Sequence, residues 1–176
     1  YGKDDIDLLD NLKKINNNIK SIYEKWIKIT FILSDKHAEI NWYSKKEILK
    51  YLKSIEKLLT EYWFNFIYLS NIWKNYWIEV NQIENELNNL DNLVWDTLPN
   101  KYELLQASKN KWFKDHIYSA KKYYCMRTLE NTYLEKEFEN SILINFSKSI
   151  HQNVVPDLPS FFFWTYWKWK SEIPWF

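Results

Sequence analysis

The feature that most restricts the fold is the lack of glycine and proline between Gly2 and Pro99. These two residue types most often end helices and form tight turns. Over the same stretch, apolar residues recur every three or four positions, which is the period of a helix that buries one face. The sequence therefore predicts long helices.

Two heptad seams define the first two predicted helices. They cover residues 8–33 and 48–94, with every step between apolar positions being three or four residues. Ser44 and Glu47 have the spacing of a capping box, and Pro99 ends the second seam because proline cannot continue the hydrogen-bond ladder. The predicted helices cover about residues 4–33 and 44–98.

A third helical segment is predicted over about residues 101–151. Its apolar stripe drifts round the helix, which indicates either contacts with more than one neighbour or a break near residues 131–132. No strand-like alternation lasts long enough to predict a sheet. We therefore expect an all-α fold in which residues 1–152 form an elongated antiparallel bundle of about three long helices.

The C-terminal segment, residues 153–176, is predicted to be an extended aromatic tail. Pro156, Pro159 and Pro174 prevent a long helix there. A surface this apolar requires a cover, so we expect the tail to dock on a partner protein or at a membrane interface. Folding back onto the helical bundle as part of its core is the alternative. The predicted docking residues are Phe161, Phe162, Phe163, Trp164, Trp167, Trp169 and Trp175.

Residues 101–127 combine lysines with interleaved aromatic rings, opposed by the two acids Glu103 and Asp115. Lysines neutralise phosphates and rings stack on bases, so this stretch predicts contact with rRNA or with an acidic protein partner. An ordinary amphipathic helix with solvated lysines is the competing explanation, and it is the more common origin of such a stretch. The predicted contact residues are Lys109, Lys111, Lys114, Lys121, Lys122, Tyr123, Tyr124 and Arg127.

The sequence contains no pattern that predicts catalysis. The single glycine excludes glycine-rich phosphate loops, and His37, His116 and His151 lack metal-ligand spacing. The lone Cys125 cannot form an intramolecular disulfide, and a buried apolar role is expected for it. We predict a protein that is not an enzyme, with no cofactor, no metal and no small-molecule substrate.

The composition indicates an organellar genome. Asn, Ile, Lys and Tyr are abundant, as AT-rich codons produce, and the 11 Trp fit this bias if UGA also encodes Trp, as in many mitochondria. An aromatic-rich surface is the competing explanation. The N-terminal segment is acidic and polar, and no run reaches about 18 apolar residues. The sequence therefore predicts neither a signal peptide nor a transmembrane segment.

In this Asn/Ile/Lys/Tyr-rich, Trp-rich and Gly-poor character the chain resembles subunits encoded in ciliate-type mitochondrial genomes. The resemblance implies a non-catalytic structural subunit of a large mitochondrial assembly, with other protein subunits as partners. The mitochondrial ribosome is favoured over the respiratory chain or the ATP synthase complex. The alternative is a helical protein-binding or adhesion module at a cell surface, because the chain also resembles the tryptophan-rich antigens of malaria-type parasites.

Overall fold

The computed structural model describes residues 2–23, 27–40, 43–90, 92–99, 101–110, 114–145 and 158–162. Helices contain most of these residues, so the predicted mainly helical class is confirmed. The described residues up to Ile72 form one compact unit, and those from Trp73 onward form a second. None of the described helices combines the length and the apolar character that crossing a bilayer requires.

The first unit contains two helical segments between two paired strands. Its elements are α1 (Lys3–Ile22), β1 (Thr30–Leu33), α2 (Asp35–Ile40), α3 (Lys45–Glu61) and β2 (Asn65–Tyr68). The strands pair in parallel, with Phe31 opposite Phe66, and α2 and α3 form the crossover between them. The first unit is therefore a β-α-α-β arrangement preceded by α1.

The predicted helix over 4–33 is wrong in its second half. α1 ends at Ile22, and Tyr23 is already extended. The residues that follow are rich in β-branched and aromatic side chains, which pack better in a strand than in a helix. Ile22, a predicted seam position, is accordingly exposed.

The predicted capping box at the start of α3 is confirmed. The Ser44 hydroxyl oxygen accepts a hydrogen bond from the Glu47 N–H (3.3 Å), and the Glu47 carboxylate accepts one from the Ser44 N–H (3.0 Å). The continuous helix predicted over 44–98 is wrong, because α3 ends at Glu61 and the chain enters β2. Most apolar residues of the seam over 48–94 are nevertheless buried or partly buried, among them Leu52, Leu59, Phe66 and Trp73.

The second unit is organised around one long helix. Its elements, with the helix that carries the unit boundary, are α4 (Leu69–Asn75), α5 (Val80–Asn89), α6 (Asn92–Thr97), α7 (Lys101–Asn110), α8 (His116–Glu137), β3 (Leu143–Asn145) and β4 (Ser160–Phe162). α8 contacts both α5 and α7. Trp95, Leu104 and Ala120 form a buried cluster where α6, α7 and α8 meet.

The predicted helix over 101–151 is also interrupted. α7 ends at Asn110, and α8 restarts behind Asp115, whose carboxylate accepts a hydrogen bond from the Tyr118 N–H (2.9 Å). α8 is continuous through residues 131–132, so its drifting stripe reflects its two helical neighbours and not a break. β3 and β4 pair in parallel, which the sequence did not predict.

Candidate functional site

The end of α3 has an unusual backbone conformation. Trp63 follows the C-cap residue Tyr62 and has a φ of 63°, in the left-handed region. Its N–H donates to the Thr60 carbonyl (3.1 Å), and the Phe64 N–H donates to the Leu59 carbonyl (3.0 Å). These bonds form a Schellman motif, in which glycine usually occupies the left-handed position.

The end of α4 repeats this geometry at Trp77, which has a φ of 58°. Its N–H donates to the Lys74 carbonyl (3.3 Å), and the Ile78 N–H donates to the Trp73 carbonyl (2.8 Å). In both motifs a tyrosine precedes the left-handed tryptophan and an apolar residue follows it. Two helix ends of this chain therefore share the same Tyr–Trp–apolar pattern and the same backbone motif.

Both left-handed tryptophans face solvent. Trp63 is 90% exposed and Trp77 is 83% exposed, whereas the residues after them, Phe64 and Ile78, are buried. A left-handed conformation costs a residue other than glycine roughly 1–2 kcal/mol. Burial of the residues that follow, Phe64 and Ile78, stabilises this conformation, and the result is an exposed indole on a fixed backbone position.

A cleft of about 420 Å³ opens beside Trp63 in the first unit. It is bounded by α1, by the residues before β1 and by the turn after α3. The Lys13 ammonium lies 5.7 Å from the centre of the Tyr62 ring, within cation–π range. The polar side chains among the described lining residues are Lys13, Asn16, Asn17, Lys28 and Asn65.

The wall of this cleft is held by aromatic contacts. The Tyr62 and Phe64 rings stack with centres 6.3 Å apart, and Phe64 contacts Phe31 of β1 at 5.6 Å. The Tyr62 hydroxyl donates to the Asp10 carboxylate (2.8 Å), and this hydrogen bond raises the pKa of Tyr62. The turn that carries Trp63 is therefore anchored to both α1 and β1.

The predicted basic–aromatic stretch is divided by the fold, and Lys121 and Lys122 both lie over aromatic rings. The Lys121 ammonium is 5.6 Å from the centre of the Trp95 ring, and that of Lys122 is 5.7 Å from the Tyr118 ring. Partial burial lowers the pKa of Lys122. Both side chains therefore already contact aromatic groups of the second unit.

Arg127 belongs to a buried ion pair. Its Nη1 lies 2.5 Å from Oε1 of Glu130, which is fully buried, and the other carboxylate oxygen accepts a hydrogen bond from the Trp73 indole N–H (3.1 Å). Burial alone lowers the pKa of Arg127, but Glu130 and Tyr123 outweigh it and raise that pKa. Burial also raises the pKa of Tyr123. Arg127 and Tyr123 thus contribute to the interior of the second unit.

The remaining residues of the predicted contact surface differ in exposure. Lys109 and Lys114 are exposed, and Tyr124 is partly buried beside a second cleft of about 450 Å³ between α5 and α8. Lys111 lies outside the described residues. RNA contact through residues 101–127 stays a prediction, and Lys109 and Lys114 are its exposed members.

Two predicted docking residues of the tail, Phe161 and Phe162, lie in β4 and pair with β3. This short strand is consistent with the predicted extended backbone at those two positions. The other docking residues predicted for the tail lie outside the described residues: Phe163, Trp164, Trp167, Trp169 and Trp175.

Cys125 lines the second cleft but is only 5% exposed. Burial raises the pKa of its thiol to about 11, and the nearby Glu86 carboxylate adds to the shift. The reactive thiolate is therefore scarce at neutral pH. In the described part of the chain, no three His, Cys, Asp or Glu side chains form a group that could hold a metal ion.

Comparison with models of known protein families, with curated proteins and with solved structures finds no match for this chain. The geometry of its own residues is therefore the basis on which a function is proposed.

Sequence reasoning missed Trp63 and Trp77, although a signal was present. The only glycine of the chain is at position 2, so its helices must end at residues of other types. The repeated Tyr–Trp–apolar triplets at 62–64 and 76–78 mark two places where this happens. The heptad seam runs through both triplets without a change of spacing, so the period of the apolar residues does not reveal these two helix ends.

Proposed function

We propose that the protein is a non-catalytic structural subunit of a large mitochondrial assembly that binds its neighbours through exposed aromatic side chains. The observation that carries this proposal is the pair of left-handed helix ends, which hold the Trp63 and Trp77 indoles in solvent. Backbone strain tends to be retained where it has a function. Tryptophan is among the residues that contribute most to protein interfaces.

The mitochondrial ribosome is the favoured assembly, ahead of the respiratory chain and the ATP synthase complex. The Asn/Ile/Lys/Tyr-rich and Trp-rich composition supports a mitochondrial origin. The exposed lysines Lys109 and Lys114 support a position next to rRNA. In this proposal the aromatic tail, residues 153–176, is a further docking element for protein or for a membrane interface.

The test is the size and RNA content of the particle that carries the protein. A tagged full-length chain is isolated from its native mitochondria in mild detergent, and the particle mass and the absorbance ratio at 260 and 280 nm are measured. We expect a megadalton particle rich in RNA. A large RNA-free particle would assign the chain to a respiratory or ATP synthase assembly, and a free 21.8 kDa monomer would contradict the proposal.

A matched pair of variants tests the role of the indoles. The double variant Trp63→Gly/Trp77→Gly removes both rings while relieving the backbone strain, so it is expected to fold, and its free energy of unfolding is measured alongside as the check. We expect this variant to be isolated without the particle. Leu93→Ala, which truncates a side chain that is 74% exposed on α6, is the control and is expected to stay.

A further inference from the structure

We infer that the cleft beside Trp63 binds a short segment of single-stranded RNA. The cleft belongs to the first unit, whereas the sequence placed its predicted RNA contacts at residues 101–127. Three kinds of group meet in it, namely an exposed indole, lysine ammonium groups and asparagine amides. Each matches a different part of a nucleotide.

The charges of the cleft suit the phosphate groups. Lys13 on α1 and Lys28 before β1 are both exposed and both line the cleft. Of the described lining residues none carries a carboxylate, although Asp10, Glu61 and Asp7 lie close enough to Tyr62 to raise its pKa, and Asp10 accepts a hydrogen bond from the Tyr62 hydroxyl. Two ammonium groups along one cleft provide contacts for two phosphates of a strand.

The aromatic groups suit the bases. Trp63 is 90% exposed and fixed by the Schellman motif, so a base can stack on its indole without reorganising the backbone. Stacking on aromatic rings is the main way in which unpaired bases are bound. The stacked rings of Tyr62 and Phe64, on either side of Trp63 in sequence, stabilise the turn that carries it.

The asparagines suit the base edges and distinguish RNA from a lipid surface. Asn16 accepts a hydrogen bond from the Ile27 N–H (3.2 Å), and the Asn65 side chain donates to the Ile29 carbonyl (3.4 Å), so both amides are held in place. Asn17 is exposed beside them. Amides held at fixed positions match the fixed pattern of donors and acceptors on a base edge, whereas mobile lipid headgroups present no such fixed pattern.

The choice of RNA in place of DNA rests on the proposed function, because a ribosome supplies RNA. The site itself rests only on the geometry of the first unit. RNA binding by the purified chain and assembly into a particle are therefore separate measurements.

The experiment measures fluorescence anisotropy of a labelled oligouridylate of about ten nucleotides, titrated with the purified full-length chain from about 50 to 200 mM salt. Two phosphate contacts on a single strand predict that log K falls with log salt with a slope of about −1.4. Lys13→Gln/Lys28→Gln is expected to flatten this slope. Trp63→Gly is expected to weaken binding roughly tenfold and leave the slope unchanged.

Matched variants complete the test. Lys50→Gln/Lys53→Gln removes two exposed lysines of α3 that do not line the cleft, and Trp77→Gly removes the equivalent indole of the other unit. Both should bind RNA as the unmodified chain does. Absence of binding at low salt, or equal losses in the α3 control, would overturn the inference.

Three further outcomes are informative. Capture by phosphatidylserine vesicles without RNA binding, if it depends on Lys13 and Lys28, would overturn the inference in favour of a membrane surface. A purified chain that binds RNA but is monomeric in mitochondria would support the inference and contradict the proposed function. A chain that joins the particle yet fails to bind RNA would contradict the inference alone.

Discussion

At the residue scale, the two left-handed tryptophans decide how the helices end in a chain that has almost no glycine. A residue with a Cβ is sterically strained in this conformation, whereas glycine is not. The hydrogen bonds of the motif involve only the backbone, so they do not depend on the side chain of Trp63 or Trp77.

Replacing either tryptophan by glycine should therefore stabilise the protein. We expect Trp63→Gly and Trp77→Gly each to raise the free energy of unfolding by about 1 kcal/mol, measured by urea denaturation. Trp63→Ala keeps a Cβ at the left-handed position and should give no such gain. A lower stability in the glycine variants would show that the indoles contribute packing that outweighs the strain.

The buried ion pair gives a second prediction. Arg127→Met should lower the free energy of unfolding by about 3–5 kcal/mol, because it leaves the fully buried Glu130 carboxylate without its cation. Adding Glu130→Gln should recover much of that loss, since the amide is neutral and its oxygen still accepts from Trp73. Lys109→Met, at an exposed site, should change stability by less than about 0.5 kcal/mol. Equal losses in the single and double variants would argue against a charge effect.

At the element scale, the capping box of α3 is the clearest case in which sequence and structure agree. The Ser44 hydroxyl oxygen accepts from the Glu47 N–H in the first turn, and the exposed Glu47 carboxylate accepts from the Ser44 N–H and hydroxyl. These bonds from Ser44 lower the pKa of Glu47. The pattern was recognisable because its partners are three residues apart and need no tertiary contact.

We expect Ser44→Ala to cost about 1 kcal/mol at neutral pH, measured by thermal denaturation. The folded pKa of Glu47 is depressed, so its contribution is present above the unfolded pKa and is lost as pH falls through the folded pKa. The difference between the unmodified chain and Ser44→Ala should therefore shrink on acidification below about pH 4. If the stability difference is the same at acidic and neutral pH, the contribution of Ser44 does not depend on the charge of the Glu47 carboxylate.

The helix breaks were not predictable from the seam alone. A heptad count samples one residue in three or four, and Leu59, Tyr62 and Phe66 keep the count although they belong to a helix, a cap and a strand. The positions between them decide the conformation. Strand pairing such as Phe31 with Phe66 depends on partners far apart in sequence, which local periodicity does not report.

At the scale of the whole molecule, the opposing charges almost cancel. The formal net charge is +1 at pH 7, from 24 Lys and Arg against 23 Asp and Glu. Self-repulsion between copies is therefore weak near neutral pH. The exposed Trp63 and Trp77 add apolar surface to these weakly repelling molecules.

The purified chain should accordingly be least soluble close to neutral pH in low salt. Below about pH 5 the carboxylates and histidines gain protons and the net charge becomes strongly positive. Above about pH 10 the lysines lose protons and the net charge becomes negative. The check is the protein concentration left in the supernatant after ultracentrifugation at neutral pH, below about pH 5 and above about pH 10. A solubility that rises steadily through neutrality would contradict it.

The mainly helical class followed from the composition and the period of the apolar residues, whereas the candidate site did not. The buried pairing of Arg127 with Glu130 has the same local sequence appearance as a solvated helical ion pair. The cleft beside Trp63 joins α1, the segment before β1 and the turn after α3, and only the tertiary fold brings these together.

The parallel pairing of β1 with β2 has a consequence for how the chain is made. Thr30 pairs with Asn65, so β1 leaves the translating ribosome well before its partner strand has been synthesised. During that interval α2 and α3 can form, because helices need only local contacts, while β1 presents unpaired backbone groups. The nascent chain is therefore most prone to aggregation after β1 emerges and before β2 does, and this is the interval in which a chaperone would protect it.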